Sequence, residues 1–61
     1  MNKPTVKLIG RGGNAFSIMA TVREALLKAG LDDQAEQYIE EATAGDYDHL
    51  LQVTMKYVNV E

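Results

Sequence analysis

Seven apolar residues between Ala15 and Ala29 fall on one side of a helix: Ala15, Ile18, Met19, Val22, Ala25, Leu26 and Ala29. Their spacing follows the 3.6-residue period closely. Asn14 stands where an N-cap belongs. Gly30 stands where a left-handed C′ residue belongs, with Leu31 placed for the hydrophobic contact of such an ending. Phe16 lies beside the stripe and is the candidate for an exposed anchor on a partner. A one-faced helix gains most of its stability from packing, so the rest of the chain has to cover that stripe.

The flanking segments suggest how. Thr5–Ile9 alternates, with Val6, Leu8 and then Gly10 on one face and Thr5, Lys7 and Ile9 on the other, which predicts a short strand. Pro4 before it suits an edge strand. Gly10-Arg11-Gly12-Gly13 breaks the strand and permits a tight reversal. A second helix is expected after Gly30, capped by Asp32 or Asp33, with Glu36 in its first turns. Its apolar face is Ala35, Tyr38, Ile39 and Ala42, and Gly45 is expected to end it. Asp46 caps a third helix, with Asp48 in its first turn. There, Tyr47, Leu50, Leu51, Val53, Met55, Tyr57 and Val58 place apolar groups almost all round. A helix of that kind is central in a core or shared with another subunit. The tail from Tyr57 to Glu61 alternates and can form a strand beside Thr5–Ile9. The expected fold is α+β: one domain over residues 1–61, β-α-α-α-β, with three helices packed on a two-stranded sheet.

With 61 residues and no Cys, the chain has no disulfide or thiolate zinc site to support its core. A domain of this size buries only about 60% of its unfolded surface. A homodimer is the expected remedy. The lack of Cys fits a reducing cytoplasm, and Met1–Pro4 begins no signal peptide.

Charge is sorted along the chain. Residues 1–30 hold five cations (Lys3, Lys7, Arg11, Arg23, Lys28) and one acid, Glu24, a balance of +4. Residues 31–61 hold eight acids and one cation, Lys56, a balance of −7, and the two sum to the net −3. The halves can attract each other within a chain or between copies, or the acidic half can meet a basic partner. Asp32, Asp33, Glu36, Glu40 and Glu41 form the candidate partner-binding face. The acidic balance argues against a nucleic-acid binder.

Three strings resemble a group of very short, uncharacterised bacterial and phage-borne proteins. They are Leu8-Ile9-Gly10, Gly13-Asn14-Ala15-Phe16, and the run from Glu41-Ala42-Thr43-Ala44-Gly45 through Asp46-Tyr47-Asp48-His49-Leu50-Leu51-Gln52. The resemblance spans nearly the whole chain. It implies a bacterial or phage origin and a complete small protein, and it carries over no fold, activity or binding residue.

Two motifs call for a chemical test. Gly10-x-Gly12-x-x-Ala15 matches the short dinucleotide fingerprint, with Arg11 as a counter-charge and helix N–H groups as the phosphate cradle. The full motif needs a second parallel strand ending in an acid about 20 residues on. Here that distance falls between two helices. A tight β-to-α turn explains the glycines, with a possible anion-binding turn at Gly10, Arg11, Gly12, Gly13 and Asn14 as the alternative. Asp46, Asp48 and His49 offer too few ligands, aimed in different directions, for a metal. Ser17 sits mid-helix with nothing to make it a nucleophile. No catalysis and no cofactor are expected. The leading expectation is a small protein-interaction domain, an oligomeric adaptor or inhibitor presenting an acidic helical face to a basic partner. The alternatives are a ribbon-helix-helix-like DNA-binding dimer and a small-ligand or nucleotide binder using the glycine turn.

Overall fold

The computed structural model describes residues 3–8 and 14–61. The element order is β1 (Thr5–Val6), α1 (Ala15–Lys28), α2 (Asp32–Ala42), α3 (Tyr47–Tyr57) and β2 (Asn59–Val60). This is the expected β-α-α-α-β arrangement. The two strands pair in parallel, Thr5 with Asn59 and Val6 with Val60, because three helices carry the chain back before β2 begins. The Asn59 N–H donates to the Pro4 carbonyl at 2.9 Å and the Glu61 N–H to the Val6 carbonyl at 2.8 Å. β1 is shorter than the expected Thr5–Ile9 strand. Ile9 and the turn Gly10–Gly13 lie outside the described residues.

α1 begins as read. The Asn14 carboxamide oxygen accepts the Ser17 N–H at 2.8 Å. It ends in a Schellman motif: Gly30 takes φ +78°, its N–H bonds the Leu27 carbonyl, and the Leu31 N–H bonds the Leu26 carbonyl. Ile18, Val22 and Leu26 are buried, with Ala15, Met19 and Ala25 half-buried beside them, while Ala29 lies past the helix and is exposed.

Two expected helix boundaries need correction. Neither Asp32 nor Asp33 caps α2, since both lie within its first turn and the N-cap is Leu31, which makes no side-chain bond. The Schellman closure delivers the chain straight into the next helix, and the two carboxylates are left to favour its N-terminal dipole. Gly45 does not end α2 either. The helix stops at Ala42, and the Thr43 hydroxyl donates back to the Ile39 carbonyl at 2.8 Å. α3 starts as read, with the Asp46 carboxylate accepting the His49 N–H at 2.9 Å.

The core draws on β1, the three helices and Val58 just before β2: Val6, Ile18, Val22, Leu26, Ala35, Tyr38, Ala42, Leu50, Val53, Tyr57 and Val58. α3 is not enclosed all round. Leu50, Val53, Thr54 and Tyr57 form its buried face, while Tyr47 and Met55 are exposed. Thr54 is buried because its hydroxyl pairs with the Tyr38 hydroxyl at 2.8 Å, which removes the cost of an orphaned donor. The Tyr38 and Tyr57 rings meet edge-on at 5.6 Å. Among the described residues no helix is long and apolar enough to cross a membrane.

Candidate functional site

α2 sorts its own acids. At 100° per residue, Asp32, Asp33, Glu36 and Glu40 fall within one arc of about 100°, and Glu41 points elsewhere. The first four are exposed and, among the described residues, none has an ion-pair partner. Asp32, Glu36 and Glu40 follow each other at i, i+4, a like-charge row.

Glu41 belongs to a different structure, and the expectation that it joins the open face is corrected by its partners. Its carboxylate accepts the Tyr57 hydroxyl at 2.6 Å and the Lys56 ammonium at 3.0 Å. The hydrogen bond from Tyr57, then the one from Lys56, hold its carboxyl below the ordinary range. In return, burial and the bond to this carboxylate push the Tyr57 hydroxyl up to about 12. Burial likewise raises Tyr38, against the opposing pull of its bond to Thr54. The Glu41 backbone carbonyl accepts the His49 ring Nε2–H at 2.7 Å, which fixes that tautomer because a carbonyl carries no proton. So the C-terminal turn of α2 is clamped to both ends of α3.

That clamp accounts for most of the Asp46, Asp48 and His49 cluster. The Asp46 carboxylate caps α3, the His49 ring turns to Glu41, and Asp48 stays exposed. Among the described residues no group of three or more His, Cys, Asp or Glu side chains is placed to hold a metal ion. Of the candidate anion-binding turn only Asn14 is described, and its side chain serves as the helix cap.

Among the described residues no ion pair joins the two sorted halves. Among the described residues the ion pairs are Lys28–Glu24 at 3.2 Å and Lys56–Glu41 at 3.0 Å, each within its own half. Lys3 donates instead to the Met55 and Lys56 carbonyls at the end of α3, at 3.2 and 3.4 Å. Phe16 stands 81% exposed on α1. Sequence reasoning missed the Glu41–Tyr57 and Tyr38–Thr54 bonds, each spanning 16 residues. No signal in the local pattern marks partners that far apart.

No family model, no curated protein and no solved structure matches the chain.

Proposed function

We propose that this protein is a small interaction domain that presents the arc Asp32, Asp33, Glu36 and Glu40 of α2 to a basic protein partner. One observation carries the reading. These four acids are exposed and without ion-pair partners among the described residues, although six cations lie in the same short chain. A like-charge row of this kind costs stability in the free protein, and a cationic surface would turn that cost into attraction. Phe16 adds an apolar anchor on the neighbouring helix. The test is a pull-down from the native host at low salt with the wild type and an Asp33→Asn, Glu36→Gln, Glu40→Gln variant. The expected result is a basic protein captured by the first and lost by the second. Identical captured sets would sink the reading.

A homodimer is proposed alongside. Met55 is 57% exposed, and it lies at i, i+4 and i, i+8 from half-buried Leu51 and from Tyr47 on one flank of α3. Light scattering at micromolar concentration should report twice the chain mass, and Met55→Glu should halve it.

The other two readings draw less support. A ribbon-type DNA-binding dimer would pair β1 with its copy, whereas β2 of the same chain holds one side of β1, and the acids of α2 repel phosphate. A gel shift with random duplex at low salt should show no retardation. The nucleotide reading rests on residues 10–13, outside the described set. Thermal-shift screening with nucleotides should leave the melting temperature unmoved.

A further inference from the structure

Among the described residues β1 is held by β2 on one side only, so its other side bears on what the fold can bind. The carbonyls of Pro4 and Val6 accept from β2. Backbone groups alternate sides along a strand, so the N–H and C=O of Thr5 and Lys7 turn away from β2. Among the described residues none outside the strands bonds to them. Such an edge is a template for another extended segment.

Lys7 also lines a groove of about 560 Å³ between β1 and α1. The α1 wall runs from Ser17 to Lys28 and is made largely of short side chains, Ser17, Ala20, Thr21 and Ala25, which leave room beside the strand. The eleven rises from Ser17 to Lys28 give a wall about 16 Å long. An extended peptide advances roughly 3.3 Å per residue, so the groove matches a segment of about five residues.

We propose that this groove takes an extended acidic peptide as a third strand, with main-chain bonds to Thr5 and Lys7 and with Lys7 and Lys28 as counter-charges. The charge of the lining selects the occupant. Two lysines and Glu24 give it a net positive balance, and Glu24 holds Lys28 at 3.2 Å. A second copy docking by the same edge would bring its own Lys7 toward these lysines, like against like. The acids of a second copy lie on helices or at the α3 cap, except Glu61, whose N–H already bonds Val6 of its own chain, so they do not offer a free acidic strand. The adaptor then has two recognition surfaces of opposite sign: the arc of α2 for a basic partner and the β1–α1 groove for an acidic one.

The probe is a fluorescein-labelled hexapeptide alternating Glu and Val, read by anisotropy at low salt, with a Lys–Val hexapeptide as control. Saturable binding of the acidic peptide alone is expected, weakened about tenfold by Lys7→Glu or Lys28→Glu. Lys7→Pro removes the N–H on the open side while leaving the Pro4 and Val6 bonds to β2, so it should abolish binding. Amide exchange gives an independent readout that needs no variant. The Thr5 and Lys7 amides should exchange fast in the free protein and become protected on adding peptide. Absent binding, equal binding of the basic peptide, binding untouched by a folded Lys7→Pro variant, or Thr5 and Lys7 amides already protected in the free protein would each overturn the proposal.

Discussion

The two helix–helix turns of this protein are similar in length and are closed by different physics. The α1–α2 turn is closed by backbone alone. Gly30 supplies φ +78°, two carbonyls near the end of α1 are satisfied by the next two N–H groups, and a Cβ on Gly30 would meet open space. The α2–α3 turn is closed by side chains: Thr43 reaches back to Ile39, Asp46 caps forward to His49, and the His49 ring reaches back to Glu41. Its glycine has another purpose. A Cβ on Gly45 would lie 2.7 Å from His49 Cγ and 2.8 Å from His49 Cβ, atoms near the root of the side chain that cannot swing aside cheaply. So Gly30 is required for its dihedral angle and Gly45 for its missing volume. The first turn is readable from four consecutive residues. The second depends on where α3 lies against α2.

The largest expected effect separates the two junctions by pH. The Tyr57 hydroxyl has its pKa raised from 10.0 to about 12 by burial and by Glu41. A raised folded-state value means the folded form holds the proton more tightly than the unfolded form. The associated stability is whole below pH 10, and it is lost as pH rises from 10 through 12. A shift of this size corresponds to at most roughly 2–3 kcal/mol, reduced by solvent screening because the bond to half-exposed Glu41 is only partly buried, and buried Tyr38 adds in the same direction. Alkaline melting of the wild type should therefore steepen above pH 10, and Tyr57→Phe should flatten it. Glu41 works at the other end of the scale. Its value is lowered, so its contribution is present above the ordinary carboxylate range and fades as pH falls through its folded value. An alkaline profile unchanged in Tyr57→Phe would remove the hydroxyl–carboxylate bond from the clamp.

Next comes volume against dihedral. Gly45→Ala should cost about 1–3 kcal/mol, the usual penalty of overpacking. Placed in a His49→Ala background, the same change should cost clearly less, because the Cγ and Cδ2 it strikes are gone and only the Cβ at 2.8 Å remains in its way. Gly30→Ala should cost about 1–2 kcal/mol from the left-handed conformation, with the same cost in either background. Thermal melts of the wild type and the five variants make one double-mutant cycle at each glycine. Equal non-additivity at both positions would erase the distinction between the turns.

What could be read in the sequence follows the same division. The order of elements, both ends of α1, the Asp46 cap and the buried positions Val22, Leu26, Ala35 and Tyr38 depend on residues within a turn or two of each other, and the periodic pattern carries them. The start of α2 was open to misreading because Asp32 and Asp33 are good caps in isolation; the Schellman closure at Gly30 leaves no free residue for one. The apparent all-round apolarity of α3 came from counting side chains without knowing which neighbours exist. α2 covers one part of it, and Met55 is left outside. The division of labour among the acids of α2 was hidden for the same reason. Glu40 and Glu41 are adjacent in the chain, and only the position of Lys56 and Tyr57 on another helix sets them apart.

The smallest expected effect asks whether the four exposed acids of α2 are a binding face or merely solvated. Like charges at i, i+4 destabilise a helix by about 0.2–0.5 kcal/mol per pair, and α2 has two such pairs in Asp32–Glu36 and Glu36–Glu40. Against them stand the surface pairs Lys28–Glu24 and Lys56–Glu41, which contribute little because solvent screens them, and the dipole contact of Asp32 and Asp33. Salt screens both, since the Debye length falls from about 30 Å at 0.01 M to about 10 Å at 0.1 M. Repulsion along the row also reaches beyond adjacent pairs, so its relief should prevail and the melting temperature should rise modestly with NaCl. Glu36→Gln removes the shared member of both i, i+4 pairs. That variant should melt slightly above the wild type at low salt and gain less from added NaCl. A melting temperature that falls steadily with salt, in wild type and variant alike, would assign these acids to the stability of the free fold and leave α2 without a reason to seek a basic partner.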